Sequence, residues 1–395
     1  MKVRFETFGC RLNRAEALAM QAGAEARGWE TVEHATDADL IIVRGCSVTE
    51  RAQRDCEKFI SMLERAFPAK RIVVTGCIKE KRNEFLLKDI PGDKIPSSTS
   101  RAYLKVQDGC SGRCAFCIVP RFRGKPISVP FDEAVAKASR FIEAGYNEIV
   151  VTGCNLSLYW SQGKHFPELV DALASIAPES CRIRIGSLEP GGNAIDTVNA
   201  MAAHENVCRH LHLAVQSGSQ GVLLAMRRPY SVSHVSDLVG EAKRLMPNIS
   251  LGCDMISGFP GETYIDHYSS LMFIKRMGFE KGHIFKYSER PGTEAERLSA
   301  SVSREDRSTR AHELAKAIDE IRVDAAKKQI GKNVKIVVED EKTTAGWTDG
   351  HFWCAAAPRK GAIIAPSAKP GRKEFATIKV TSVEGHALLG DLVAG

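Results

Sequence analysis

The sequence predicts an α/β protein in three parts: a parallel α/β sheet at the N-terminus, a central region of six βα units, and a small C-terminal β-barrel. Three observations carry that expectation. Apolar strand-like runs alternate with amphipathic helical ones over roughly the first hundred residues. The alternation then repeats on a larger scale to about residue 330. From Lys332 onward only short β-type runs with glycine or polar punctuation remain. A chain of 395 residues fits two or three domains and buries a core without disulfide staples.

The elements follow in order. Residues 2–8 read as a strand, and 14–27 as a helix stopped by Gly28. Residues 40–43 form a second strand, 49–66 a helix and 71–75 a third strand. Residues 91–100, rich in Pro, Gly and Ser, read as a linker. Central strands are expected at 103–106, 148–152, 182–185, 212–215, 250–253 and 282–285. Helices fall between them at 131–144, 166–176, 232–245 and 264–277. Six units are fewer than the eight of a full (β/α) barrel, so a partial barrel and an open doubly wound sheet both fit. Residues 304–329 form a long charged helix. Runs at 334–338, 361–365, 375–380 and 387–393 suggest a small OB-like barrel without helices. The domains expected are 1–95, 96–330 and 331–395.

Composition removes several classes. Twelve cysteines, about 3% of the chain, lie well below the 8–10% of a disulfide scaffold. The start Met-Lys-Val-Arg-Phe-Glu has no apolar core of a signal peptide, and no run reaches the roughly 18 apolar residues of a membrane span. A cytoplasmic protein without a membrane partner is expected, in which cysteines serve metals, catalysis or packing. The net charge of +7 permits nucleic acid as a partner without demanding it.

The cysteines divide by position. Cys110, Cys114 and Cys117 form C-x3-C-x2-C, with Gly109 and Gly112 letting the loop curl. Three close thiolates suit a [4Fe–4S] cluster with one iron left open for a substrate, since four ligands are usual. A zinc site is the alternative, although no second cysteine pair stands nearby. Cys10, Cys46 and Cys77 each follow a strand and a glycine. In a parallel sheet all three lie at the carboxyl edge, where ligands of such sheets bind. Buried packing cysteines are the other reading of these three. Cys56, Cys154, Cys181, Cys208, Cys253 and Cys354 are assigned to packing.

The motifs resemble those of the radical S-adenosylmethionine (SAM) methylthiotransferases. The resemblance rests on the C-x3-C-x2-C loop after a first barrel strand and on Gln107-Asp108-Gly109-Cys110. It rests also on His212-Leu213-Ala214-Val215-Gln216-Ser217-Gly218-Ser219, Met226-Arg227-Arg228, Asp254 through Thr263 and Tyr287 through Thr293. It runs over nearly the whole chain. It implies a partial (βα)6 radical SAM barrel, a C-terminal TRAM-like RNA-binding barrel and two [4Fe–4S] clusters, the second held by Cys10, Cys46 and Cys77. It also implies that a reduced first cluster cleaves SAM to a radical that takes hydrogen from an unreactive C–H bond. The second cluster then supplies sulfur, which another SAM methylates. One departure stands out: only 32 residues separate Cys77 from Cys110, so the N-terminal sheet is expected to be shortened.

SAM contacts are expected after the barrel strands: Gly153 and Asn155 after the second, Ser187 and Glu189 after the third, Gln216 and Ser217 after the fourth. Arg228 would clamp the SAM carboxylate, and Gly258 would let backbone approach the adenine. No single catalytic residue is assigned. Residues 101–130 hold six cations against one Asp, a local +5 suited to RNA phosphate.

Within the family, Ser187-Leu188-Glu189-Pro190, Phe5 through Asn13 and Tyr159 resemble the branch that acts on threonylcarbamoyladenosine of tRNA. The expected partners are therefore a tRNA anticodon stem-loop and an electron donor such as a flavodoxin or ferredoxin, with the enzyme a monomer. Trp347, Phe352 and Trp353 would either stack bases or fill the small barrel. The rivals are isopentenyladenosine in tRNA, a ribosomal-protein aspartate, and a non-catalytic iron–sulfur RNA-binding protein.

Overall fold

The structure is a computed structural model that describes residues 1–87, 95, 99–298, 300–356, 371 and 373–393. Most of the expected linker at 91–100, and the strand expected at 361–365, lie outside the described residues.

The first sheet contains β1 (Lys2–Thr7), β2 (Glu30–Thr31), β3 (Leu40–Cys46) and β4 (Arg71–Cys77). Their order is β2–β1–β3–β4, all parallel. Helices α1 (Arg11–Ala26) and α2 (Glu50–Ala66) cover its two faces. Leu40 and Ile42 share a core with Ala24 and Met20 of α1, whereas Ile41 and Val43 pack with Cys56, Ile60 and Leu63 of α2. This two-sided burial explains the unbroken apolar run.

The central region has β5 (Ala102–Asp108), α3 (Val119–Arg123), β6 (Ile127–Ser128), α4 (Phe131–Glu143), β7 (Glu148–Gly153), β8 (Trp160–Ser161), β9 (Lys164–His165) and α5 (Phe166–Ile176). It continues with β10 (Arg182–Ile185), β11 (Ser187–Leu188), α6 (Ala194–Ala203), β12 (His210–Gln216), α7 (Gln220–Ala225), α8 (Val232–Leu245), β13 (Ser250–Ser257), α9 (Tyr264–Met277), β14 (Lys281–Lys286) and α10 (Arg304–Lys327). The large parallel strands lie in chain order, β5–β7–β10 and then β11–β12–β13–β14, with a break at Gly186. The order never reverses, as a doubly wound sheet requires, so the partial barrel is the architecture present.

Alternation along these strands sorts the side chains. Leu104, Val106, Ile149, Val151, Ile183, Leu211, Leu213 and Cys253 pack outward with the helices in one core. Their neighbours Tyr103, Glu148, Arg182, Arg184, His210, His212 and Asp254 occupy the opposite face, and the lumen is therefore polar.

The C-terminal strands β15 (Asn333–Asp340), β16 (Ala345–Thr348), β17 (Trp353–Ala356), β18 (Phe375–Glu384) and β19 (Ala387–Leu392) close into a five-stranded barrel. Sequence reading missed β16 and β17, each four residues long. Among the described residues no helix is long and apolar enough to cross a membrane.

Candidate active site

The carboxyl end of β5 roots the first thiol group. Gln107 is fully buried. Its amide donates to the Asp108 and Gly109 carbonyls at 2.8 and 2.7 Å, and its oxygen accepts from the Asn155 backbone N–H at 2.8 Å. One side chain thus ties the root of the Cys110–Cys117 loop to the end of β7. A Cβ on Gly112 would lie 3.2 Å from Cys110 Sγ and 3.6 Å from Cys114 Sγ, so both sulfurs close over a residue without a side chain. Burial pushes the Cys117 thiol up to about 12 and raises Cys114 as well, the latter opposed by Arg228.

The second group forms at the carboxyl edge of the first sheet. In the β3–β4 pairing Cys46 stands opposite Cys77, and the two leave the edge side by side. Cys10 is the N-cap residue of α1. Gly9 before it has φ +95, and a Cβ there would lie 2.6 Å from Cys46 Cβ and 2.8 Å from its sulfur. The turn into α1 therefore rests on Cys46. Buried Asn13, one turn on, donates to the Phe8 and Gly45 carbonyls at 2.9 Å and fixes that turn. Burial raises the Cys46 thiol and pushes Cys77 up to about 11, opposed by Arg123.

Arg123 joins the two groups. From α3, just past Cys117, its Nε donates to Cys77 Sγ at 2.8 Å. One terminal nitrogen donates to Asp108 at 2.8 Å and Glu16 at 3.1 Å, the other to Asn13 at 2.8 Å and Glu16 at 3.1 Å. The side chain is 8% exposed. Glu16 also meets Arg44 and Lys105, and Lys105 meets Asp108 at 2.6 Å. Burial works against the Glu16 charge, but Arg123, Arg44 and Lys105 outweigh it and hold the carboxyl below its usual range.

The donor chemistry bears on which group fits. Each site offers three thiolates, the ligand type of a [4Fe–4S] cluster. Among the described residues, the three ligand atoms that gather within 4.8 Å belong to His212, Asp254 and His283, not to either thiol group.

The comparisons with known proteins agree with this geometry. Residues 2–96 match the model described as "Uncharacterized protein family UPF0004", and residues 104–274 match the radical SAM superfamily. The chain is 30% identical to the threonylcarbamoyladenosine tRNA methylthiotransferase MtaB of Chlamydia pneumoniae, over 98% of this chain and 96% of that one. The chain belongs to the radical SAM methylthiotransferases. It is also 30% identical to the tRNA-2-methylthio-N(6)-dimethylallyladenosine synthase of Azobacteroides pseudotrichonymphae, over 86% of each chain. Among solved structures, the radical SAM methyltransferase TsrM from Kitasatospora setae superposes with a TM-score of 0.55, at 11% identity, over 75% of this chain and 77% of that one. That likeness speaks for the fold alone.

A radical SAM methylthiotransferase works with SAM and [4Fe–4S] clusters, and three of the expected SAM residues, Arg228, Glu189 and Asn155, link up beside Cys114. Arg228 donates to Cys114 Sγ and to Tyr230 Oη, both at 2.8 Å. Its second terminal nitrogen pairs with the Glu189 carboxylate at 2.8 Å. Asn155 reaches Glu189 at 3.4 Å, and Gly153 lies against Gln107. Ser187 is exposed, two residues before Glu189.

The structure does not bring Gln216, Ser217 or Gly258 to Cys114. Gln216, at φ +67, lines a separate 1160 Å³ cavity with Asp254, Ile256, Phe116 and Arg290. The Ser217 hydroxyl is buried against Ser270 and the Ser219 amide. Gly258, at φ +71, lies under the Arg307 side chain of α10.

One further expectation needs correction. Of the six cations at 101–130, three turn inward to carboxylates: Arg101 to Glu339, and Lys105 and Arg123 to Glu16 and Asp108. Only Arg113, Arg121 and Lys125 stay exposed for phosphate. Cys154, expected as a packing residue, is half-buried, and burial pushes its thiol up to about 12. Sequence reading missed Arg123, Glu16, Asn13 and the role of Gln107. For Asn13 alone a signal existed, one helical turn after Cys10.

Proposed function

We propose that the chain methylthiolates threonylcarbamoyladenosine next to the anticodon of tRNA, holding one [4Fe–4S] cluster on Cys110, Cys114 and Cys117 and a second on Cys10, Cys46 and Cys77. The observation that carries this reading is Arg123, which ties Cys77 at the edge of the first sheet to Asp108 at the root of the Cys110–Cys117 loop. When bound, the clusters and SAM supply the radical that opens an unactivated C–H bond and the sulfur installed there. The residues bind and orient. Arg228, beside Cys114 and paired with Glu189, is the cation for the SAM carboxylate, with Asn155 next to Glu189. Gln107 keeps the cysteine loop and the β7 end in fixed register.

The reading includes domains at 1–95, 96–330 and 331–395, the last TRAM-like, and an electron donor such as a flavodoxin or ferredoxin. It takes the enzyme as a cytoplasmic monomer. The rival substrate is isopentenyladenosine, because the relative that makes its methylthio form matches at the same 30% identity. Mass spectrometry of tRNA nucleosides from a strain lacking the protein decides between them. Loss of methylthio-threonylcarbamoyladenosine supports the proposal, and its persistence overturns it.

A further inference from the structure

A second cavity, of 540 Å³, lies between α1 and the inner faces of β5, β7 and β10. That volume falls within the roughly 300–1,000 Å³ of small-ligand sites. Arg11, Arg14, Tyr103, Arg184 and His351 line it, and it reaches Cys10. Its charges are unevenly answered. Glu6, the acidic lining residue, pairs with Arg4 at 2.9 Å. Arg184 is held by Glu148 at 2.7 Å, and Arg14 lies over the Tyr103 ring at 5.6 Å.

Arg11 has no hydrogen bond or ion pair among the described residues. Its surroundings are already cationic, with Arg184 and Arg101 in reach. Asp254 is the carboxylate whose field reaches it, but His212 and His283 share that oxygen at 2.9 and 2.8 Å. A guanidinium drawn from water without a partner is costly unless a bound anion completes it. The two candidate substituents differ in this respect. A threonylcarbamoyl group carries a free carboxylate and a hydroxyl, whereas a dimethylallyl group carries neither and would leave the half-buried cation unanswered.

Resting on the function proposed above, we infer that this cavity seats the N6 substituent of the substrate adenosine and that Arg11 pairs with its carboxylate. The cavity reaches Cys10, so the substituent site adjoins the thiols given to the sulfur-bearing cluster. Arg11 is thus a specificity residue that acts by charge.

The test uses the reconstituted enzyme and anticodon stem-loops carrying threonylcarbamoyladenosine, isopentenyladenosine or plain adenosine. Arg11→Gln is expected to lower kcat/KM on the threonylcarbamoyl stem-loop about 100-fold, the lower part of the range for removing one partner of a hydrogen-bonded charge pair. Arg11→Lys keeps charge without the fork and is expected to lose about tenfold. Equilibrium binding should show the wild-type preference for the threonylcarbamoyl over the plain stem-loop, and Arg11→Gln should abolish it. SAM cleavage without RNA, and iron content, should be unchanged. Unaltered turnover and binding preference in Arg11→Gln overturn the inference and leave the proposed function standing. A parallel fall in RNA-free SAM cleavage overturns it too, assigning Arg11 to the SAM carboxylate. Wild-type turnover of the isopentenyl stem-loop in place of the threonylcarbamoyl one overturns the functional reading as well.

Discussion

Replacing Arg123 with Gln tests whether the two thiol groups are mechanically one site. The guanidinium makes five donor contacts between 2.8 and 3.1 Å, to Cys77, Asp108, Asn13 and both oxygens of Glu16. Breaking a buried charge pair by removing one partner costs about 3–5 kcal/mol. Here the stranded carboxylates keep other cations, because Glu16 retains Arg44 and Lys105 and Asp108 retains Lys105. The low end, about 3 kcal/mol, is therefore expected. The chain has several sheets, so a single unfolding transition is the wrong readout. Amide hydrogen exchange in β3 and β4 of the cluster-free protein reads the local opening, and about 3 kcal/mol corresponds to roughly 100-fold faster exchange. The second readout is the ratio of methylthio product to SAM cleaved. It should fall while SAM cleavage persists, since Cys110, Cys114 and Cys117 keep their own supports. Arg123→Lys, with charge but no fork, should recover part of the protection. Unchanged exchange together with an unchanged ratio in Arg123→Gln would refute the brace.

Burial, with Arg11 and Arg322 nearby, pushes Lys281 down to about 6 from 10.5. Between those values the unfolded chain holds a proton the folded chain lacks, so wild-type stability rises with pH and is lost as pH falls toward 6. Lys281→Met should melt higher than wild type near pH 6, with the gap narrowing toward about pH 9; a constant gap counts against the assignment. Cys154→Ala should keep about eight irons after anaerobic reconstitution, and a fall to about four would make Cys154 a ligand. Gly9→Ala sets a side chain in left-handed backbone against Cys46. It should cost about 1–2 kcal/mol for the backbone and about 1–3 for the overlap. Iron should drop by about four, and full iron content would contradict that.

What the sequence displayed was local. The run at β3 is apolar throughout because both faces are covered, so strand and sheet type were legible together. The edge position of Cys10, Cys46 and Cys77 followed from strand direction alone. Contacts across the two sheets were not legible. Arg123 meets Glu16 and Asn13 more than a hundred residues earlier, and no periodicity announces that. The basic stretch at 101–130 misled because counting charge does not reveal direction. Ser217 was misplaced for a similar reason. The β12–β13 pairing shifts register between Leu213 and Gln216, and Gln216 takes a left-handed turn. One such irregularity sends the following residues to the other face, here toward Ser270 rather than the lumen.

The C-terminal barrel bears on the site by closing its floor. The strands begin with Glu148, Arg182, His210 and Lys281, so their amino ends gather charge beneath the lumen. Glu148 is one carboxylate facing Arg101, Arg182 and Arg184. The turn between β16 and β17 supplies the missing acceptors. Arg182 donates to the Trp347 carbonyl at 2.6 Å, Arg184 to Thr348 and Asp349 at 2.8 and 2.9 Å, and Arg322 to His351 at 2.8 Å. Trp347 lies against Arg101 and Lys281, His351 stacks on His210 at 5.1 Å, and Phe352 enters the small barrel's core. Two of the three aromatics considered for stacking RNA bases are therefore committed inside the molecule. Carbonyl dipoles satisfy hydrogen bonds without cancelling charge, so Arg182 and Arg184 still share the one carboxylate of Glu148 after the turn has docked. On the reading proposed above, an anionic substituent would gain from those cations and from Arg11, and an aliphatic one would not.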